Sequence, residues 1–448
     1  MPELIISISG IRGIVGDGLG PRQAVRFGLA FGSHLGGGTV VLGRDSRPSG
    51  PMLASAVRAG LMAAGCCVLD AGILSTPGTS LMLCDEGAAG GVVITASHNP
   101  PPYNGLKMLS PEGMQIDRDA GAEVVRRYQQ EDFAERGTDG VGRAKRLRGA
   151  AARHADRVAG LVDADAIRRC NFMVVVDPVN GAGGAEMRAL LERLGCRVTL
   201  VHAEPTGNFG RGAEPVPENL ADLAAAVRHA GADLGLALDP DADRLALVDA
   251  DGRPLGEEYT LALAVQHRLS RQPGPVVVNL STSRMLDFVA REAGVPLIRT
   301  PVGELNVAQA MLANGGVIGG EGNGGVIDPR VAPVRNSLAG AALVLEMMAR
   351  RDATLRELAD ALPVYTMLKD KVPLGGLDAA SVLARVRERF PDARTDDRDG
   401  LHLSWDEGWL HVRPSNTEPI LRILAEAGDA DAARGRVDAV KALTGESG

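Results

Sequence analysis

The sequence predicts an α/β protein: three related α/β domains with mixed, mainly parallel sheets, then a small C-terminal α+β domain. Three observations predict it. One order of local patterns recurs three times along the chain. The C-terminal part then abandons that order. Finally, 448 residues with 45% apolar side chains exceed what one core usually organises, so two to four domains are expected.

The first copy runs from an apolar strand at Val40 through the polar loop Gly43-Arg-Asp-Ser-Arg47 into a helical run from Pro51. Gly65 ends that helix, and a second strand starts at Cys66. The second copy has a strand at Val174, the loop Asp177 to Gly184, a helical run Glu186 to Leu194, Gly195 and a strand from Cys196. The third has a strand at Val276, the loop Asn279 to Ser283, a run Met285 to Ala293, Gly294 and a strand from Val295. Strands alternating with helices predict mainly parallel sheets covered on both faces. From Val364 the pattern changes to a strand, a helix over Ala379 to Phe390, a hairpin Leu401 to Val412 and a closing helix Asp431 to Leu443. The expected domains are therefore 1–150, 151–250, 251–360 and 361–448. The charged stretch Glu135 to Arg148 reads as a linker or a solvated helix.

Composition narrows the function. The 48 basic and 56 acidic residues give a net charge of −8, and aromatics are only 3%. That chain lacks the basic surface and stacking platforms of a nucleic-acid binder. An anionic substrate needs a local cluster of cations. Five cysteines, without a CxxC pair, argue against a disulfide framework or zinc site and for a reducing, cytoplasmic setting. No basic flank precedes the N-terminal apolar run, so a signal peptide is not expected. The uncharged stretch Gly87 to Leu106 is too rich in Gly, Pro, Ser and Asn to span a membrane. The 57 glycines and 26 prolines, spread without low complexity, suggest loops that approach a ligand closely.

Four segments carry chemistry. In the first, the apolar run from Gly91 leads into Thr95-Ala-Ser-His-Asn-Pro100, which sets Ser97 past a strand's C-terminal end, where α/β sheets place ligands. A Ser there is commonly just a turn residue, and no GxSxG elbow is present. His98 is adjacent, and Lys107 follows a Pro- and Gly-rich loop. In the second, Asp239, Asp241 and Asp243 alternate, so an extended backbone would turn all three to one face. Three converging carboxylates repel unless a hard cation sits among them, and Mg²⁺ suits that donor set. An EF-hand fails, because its Gly and Glu positions hold Arg244 and Ala250. A solvated turn is the plainer reading, disfavoured by the apolar strands on both sides.

The third segment, Gly319-Gly-Glu-Gly-Asn-Gly-Gly325, lets backbone approach a polar ligand with Glu321 and Asn323 left to bind it; a flexible turn fits equally well. The fourth, Arg413-Pro-Ser-Asn-Thr-Glu-Pro419, offers a guanidinium, hydroxyls, an amide and turn N–H groups, a set suited to phosphate or to simple turn capping. No P-loop exists, because Gly-Lys never occurs.

Taken together, in this order and spacing, the four segments resemble the α-D-phosphohexomutase family, as do Ser9-Gly-Ile-Arg12-Gly and Gly43-Arg-Asp-Ser-Arg47. The resemblance spans essentially the whole chain and implies domains set around a central cleft. It implies an intramolecular phosphotransferase, interconverting hexose 6-phosphate and hexose 1-phosphate through a 1,6-bisphosphate. Ser97 would carry the transferred phosphoryl group. One Mg²⁺ per chain would sit on Asp239, Asp241 and Asp243, with Ser97 supplying a phosphoryl oxygen. Arg12, His98 and Lys107 would stand at the reaction centre as charge stabilisers and candidate acid or base. Arg244, Glu321, Asn323, Arg413, Ser415, Asn416 and Thr417 would bind substrate. The partners implied are a phosphosugar and no nucleic acid or membrane, in a monomer or homodimer.

Two departures bear on the sugar. Asn323 stands where many members have Ser, and Glu304 where others have His or Asp. The GEGNGG form, with this chain length, looks most like members assigned to phosphoglucosamine or broad phosphohexose substrates, so glucosamine phosphate is the expected substrate, with mannose and glucose phosphates as alternatives. An Asp-nucleophile phosphatase is disfavoured, because Asp243 sits where that pattern has Thr or Val. A non-catalytic sugar-phosphate binder is disfavoured by the retained Ser97, Asp and Arg residues.

Overall fold

Strand Gly38–Arg44 lies inside the first sheet. It takes Cys66–Ile73 on one side and Gly90–Ile94 on the other, both parallel. Tyr103–Leu109 then pairs antiparallel with Gly90–Ile94, and Gly10–Val15 antiparallel with Tyr103–Leu109. Gly10 lies opposite Lys107 and Arg12 opposite Gly105, so two predicted site cations ride on neighbouring strands. The structure, a computed structural model, describes residues 4–415 and 420–444. By contacts the chain divides into two units. One takes the chain through Arg268 together with Asn323–Ala359; the other takes Leu269–Gly322 and the chain from Asp360 onward.

In the first unit, helices Pro21–Leu35 and Gly50–Ala63 pack on each other through glycines. A Cβ on Gly60 would lie 2.3 Å from the Val25 carbonyl oxygen, and one on Gly28 would lie 2.5 Å from that of Val57. Backbone therefore touches backbone, and overpacking there forces the helices apart. Gly60→Ala is expected to destabilise the protein by about 1–3 kcal/mol. A urea titration reads this, and an unchanged midpoint would refute it.

The second repeat has the same plan. Met173–Asp177 pairs in parallel with Arg197–Leu200 and Leu234–Leu238. Leu245–Asp249 returns antiparallel to Leu234–Leu238, and the turn between them carries the three Asp. Every residue of both hairpin strands is buried, which anchors that turn against the core. Helix Ser337–Arg351, buried from Ser337 to Met348, belongs to the same unit.

In the second unit, Val276–Asn279 repeats the pattern with Leu297–Thr300 and Ile318–Glu321 as parallel neighbours. The C-terminal part forms a five-stranded antiparallel sheet in the order Thr366–Pro373, Ile420–Ala427, Gly408–Pro414, Leu401–Trp405, Arg394–Asp396. Helices Ala379–Arg389 and Ala430–Thr444 complete it, over a core that includes Val372, Leu403, Leu410 and Ile423. The architecture is the expected one: three related α/β sheets of mixed pairing and a small α+β domain.

Glu135 to Arg148 is not a helix. Its one regular element is strand Ala144–Arg146, paired in parallel with Cys66–Ile73. Gly137, Gly140 and Gly142 weaken any helix there, while the sheet edge offers backbone partners. All five cysteines are free. Among the described residues, no helix is long and apolar enough to cross a membrane.

Candidate active site

Ser97 follows the fully buried strand Gly90–Ile94 and has a left-handed φ of 48°. A non-glycine residue holds that conformation only where its surroundings over-determine it. Here Arg47 does so. Its Nη2 donates to the carbonyls of Ser97 and Asn99, both at 2.7 Å, and its Nη1 to those of Pro100 and Tyr103, both at 2.8 Å. Its Nε donates to Asp45 Oδ2 at 3.0 Å, and both side chains are fully buried. Thr95 Oγ1 donates to the same Asp45 oxygen at 2.7 Å and accepts from the Ser97 N–H at 2.9 Å. Arg47 thus serves as the mould of the serine loop. In the sequence it stood in a loop that resembles the family but had no role assigned, because burial leaves no local signal there.

The serine hydroxyl, nearly buried, has two polar neighbours. Oγ lies 3.3 Å from Asp239 Oδ2 and 3.3 Å from His98 Nδ1. Arg244 Nη2 donates to that His98 nitrogen at 3.2 Å, so Nδ1 is the acceptor. Burial, with Arg244 beside it, pushes the imidazole down to about 3, so His98 is neutral in this arrangement. Arg12 Nη1 donates to Asn99 Oδ1 at 2.8 Å. Burial, with Arg47 and Arg244 nearby, lowers the hold of Arg12 on its proton, against the pull of Asp241.

The three Asp converge through a turn and not along an extended strand. Leu238 ends one strand, Leu245 begins the next, and Ala242 takes a positive φ of 54°. One carboxylate oxygen from each lies within 4.8 Å of the others, all buried. Asp239 Oδ1 accepts from the N–H of Asp243 at 3.0 Å and of Arg244 at 3.2 Å. Asp241 Oδ2 accepts from Lys107 Nζ at 2.7 Å and Thr76 Oγ1 at 2.6 Å. Asp243 Oδ2 pairs with Arg335 Nη2. Asp241 Oδ1 and Asp243 Oδ1 are buried with no hydrogen-bond partner.

Arg244 Nε lies 3.9 Å from Asp243 Oδ1, beyond hydrogen-bond reach, so two buried carboxylate oxygens in one turn are left for a hard cation. The residues therefore fit a divalent metal. The electrostatics agree. Burial, with Asp243 and Asp241 adjacent, drives the Asp239 carboxyl well above its ordinary range. Burial presses on Asp241 too, but Lys107 and Thr76 overcome it and hold that carboxyl low.

Arg244 also pairs with Glu214 at 2.7 Å. Asn323, in the same unit, keeps Oδ1 buried with no partner. Next to it, a Cβ on Gly325 would strike Arg335 Cδ at 2.2 Å, so glycine there is what lets Arg335 reach Asp243. Sequence reading missed both Arg335 and Thr76, which lie far from the Asp motif and have no recognisable pattern.

The remaining predicted residues belong to the second unit. Glu321 Oε1 accepts from Asn279 Nδ2 at 2.8 Å and from the Gly303 N–H at 3.1 Å, which ties it to the segment preceding Glu304. Arg413 Nε pairs with Asp399 at 3.2 Å. The Ser415 N–H donates to the Ile420 carbonyl at 2.9 Å. Asn416 and Thr417 lie outside the described residues.

Comparison with known proteins gives one family. Four phosphoglucomutase/phosphomannomutase domain models match in chain order: α/β/α domains I, II and III over residues 4–135, 152–252 and 256–365, and the C-terminal domain over 373–443. A Thermococcus kodakarensis phosphoglucomutase/phosphomannomutase is 39% identical over 434 residues, 95% of each chain. A Methanopyrus kandleri protein named probable phosphoglucosamine mutase is also 39% identical, over 95% of this chain and 94% of its own. A Burkholderia thailandensis phosphoglucomutase/phosphomannomutase family crystal structure superposes with a TM-score of 0.86 at 29% identity, covering 99% of both chains. With the serine loop, the acidic turn and the four-domain order all present in one chain, this protein belongs to the phosphoglucomutase/phosphomannomutase family, the α-D-phosphohexomutases.

Proposed function

We propose that the chain interconverts a hexose 6-phosphate and its 1-phosphate through phosphorylated Ser97 and a 1,6-bisphosphate, with glucosamine phosphate as the preferred substrate. The observation that carries this reading is the meeting of Ser97 Oγ with Asp239 at 3.3 Å beside two unsatisfied Asp oxygens. Asp239, Asp241 and Asp243 would hold one Mg²⁺, completed by an oxygen of the phosphoryl group on Ser97. When bound, Mg²⁺ neutralises charge that three carboxylates and a phosphate could not otherwise share.

The chain's own residues do the rest. Phosphoryl transfer rests on positioning and charge stabilisation more than on covalent chemistry. Ser97 is held by Arg47 and Thr95 with its hydroxyl facing the acidic turn. Lys107, Arg12 and Arg244 supply positive charge around it. His98 stands beside Ser97 as a candidate acid or base, neutral and with its Nδ1 accepting from Arg244. Glu321 and Asn323 would read the sugar, and the free Asn323 Oδ1 is an acceptor for a hydroxyl or an amine. Arg413, Ser415, Asn416 and Thr417 would hold the phosphate that is not being transferred. The bisphosphate must turn over midway, so both ends of the sugar use the same loops.

The glucosamine preference is supported by the name of the Methanopyrus kandleri relative and opposed by that of the Thermococcus kodakarensis relative. We read the protein as cytoplasmic, a reading supported by its five free cysteines. Purified protein with Mg²⁺ and a trace of the matching 1,6-bisphosphate should convert the 6-phosphates of glucosamine, mannose and glucose, with kcat/KM highest for glucosamine. Chelation by EDTA should abolish turnover and Mg²⁺ restore it. No turnover on any of the three would refute the reaction. A higher kcat/KM on mannose or glucose would refute the sugar assignment alone.

A further inference from the structure

The acidic turn is gripped from two sides by helix starts, and those two starts are joined behind it. On one side, the Thr76 N–H donates to the Asp241 carbonyl at 2.9 Å while Thr76 Oγ1 donates to Asp241 Oδ2 at 2.6 Å. Thr76 opens helix Thr76–Asp85, and Ser75 caps it by accepting from the Gly78 N–H. On the other side, Ser337 Oγ donates to the Ala242 carbonyl at 2.7 Å. Ser337 opens helix Ser337–Arg351, capped by Asn336.

Behind the turn, Glu186 Oε2 accepts from the Ser75 N–H and Oε1 from Ser75 Oγ, both at 2.8 Å. His154 Nδ1 lies 2.7 Å from Glu186 Oε1, and its Nε2 lies 2.9 Å from Asn336 Nδ2. Asn336 Oδ1 is occupied by the Ala339 N–H at 3.1 Å, so Nδ2 donates to His154. The imidazole must then donate from Nδ1 to Glu186. Every donor and acceptor has one consistent direction.

The result is a closed ring: Asp241, Thr76, Ser75, Glu186, His154, Asn336, Ser337, Ala242 and back to Asp241. All of these residues are at most 2% exposed. The buried carboxylate of Glu186 is stabilised by three donors and by its place in the first turn of helix Gly184–Arg193. The ring draws on segments matched to family domains I, II and III, all within the first unit. None of its members besides Asp241 belongs to the proposed reaction centre.

We infer that Thr76, Glu186 and His154 are positioning residues that fix the acidic turn for metal. The ring holds the backbone on both sides of Ala242, whose left-handed φ needs such restraint. With Lys107 it also keeps Asp241 Oδ2 engaged, so that Oδ1 would be the oxygen left to hold the cation. Groups that orient metal ligands commonly change metal affinity by about 10–100-fold when removed. The inference rests on the metal reading of the previous subsection, and the test separates the two.

The readout is binding of Mn²⁺ to the full-length, metal-stripped protein, followed by electron paramagnetic resonance of the free ion, with no turnover involved. The wild type should take up one Mn²⁺ per chain. Thr76→Val keeps shape and loses the donor; it should bind Mn²⁺ about tenfold more weakly. Thr76→Ser restores the donor and should bind Mn²⁺ as the wild type does. Glu186→Gln turns an N–H group toward a donor in the ring and should weaken Mn²⁺ binding as well, with a cooperative melt confirming the fold. If that variant does not fold, the Val and Ser pair decides. Thr76→Val or folded Glu186→Gln binding Mn²⁺ like the wild type, even with a lowered Tm, would overturn the ring's role, as would a Ser variant as weak as Val. A wild type that binds no Mn²⁺ would overturn the metal reading itself.

Discussion

Ser97→Ala is expected to leave a folded protein whose turnover has fallen on the order of 10⁴-fold or more, because the covalent carrier is gone. The fold should survive. The loop is held through the Ser97 carbonyl and N–H, which Arg47 and Thr95 engage, and Ala keeps both. The missing hydroxyl made only two long contacts, at 3.3 Å each. Incubation with a hexose 1,6-bisphosphate should add about 80 Da to the wild type, one phosphate, and nothing to the variant. Peptide mapping should place that mass on Ser97. A variant that retains full activity would sink the phosphoserine mechanism and point to a carboxylate nucleophile in the acidic turn. A wild type that gains no mass and turns over nothing would favour a sugar-phosphate binder.

The second large effect concerns stability. Arg47→Ala is expected to cost about 3–5 kcal/mol, the range for breaking a buried ion pair from one side. Asp45 would be left buried with its countercharge removed, and four loop carbonyls would lose their donor. The stacking of Arg47 over the Phe209 ring, 4.8 Å from its centroid, would be lost too. Arg47→Lys should recover little, because a single ammonium cannot reach positions that a planar fork spans. Urea unfolding measures the loss; a midpoint within experimental error of the wild type would show that the mould is not needed. Because Ser97 depends on it for a strained φ, the variant should also lose turnover under conditions where it remains folded.

Much of the site was legible because its chemistry is packed into short stretches. Ser97, His98 and the three Asp are each contiguous with an apolar strand, and burial of that strand fixes where the following loop emerges. Lys107 and Arg12 were legible as residue types, and register explains their neighbourhood: their strands pair with Arg12 opposite Gly105. What was misjudged followed from backbone conformation. Extended geometry at Asp239–Asp243 was a fair inference from alternation, but the hairpin requires a reversal there, and the positive φ at Ala242 supplies it. The stretch Glu135 to Arg148 had charge without apolar periodicity, and only the free sheet edge at Cys66–Ile73 decided its fate.

The sequence by itself determined the repeated α/β plan, the different character of the C-terminal domain, and the four loops of chemistry. These are local matters of periodicity, turn chemistry and residue type. Tertiary structure alone decided which residues hold those loops in place. Arg47 is 50 residues from Ser97, Thr76 is 165 from Asp241, and Asn336 is 182 from His154. A buried hydrogen bond depends on the direction and distance of two atoms brought together by the fold. Neither partner carries a mark of that meeting in its own neighbourhood of the chain.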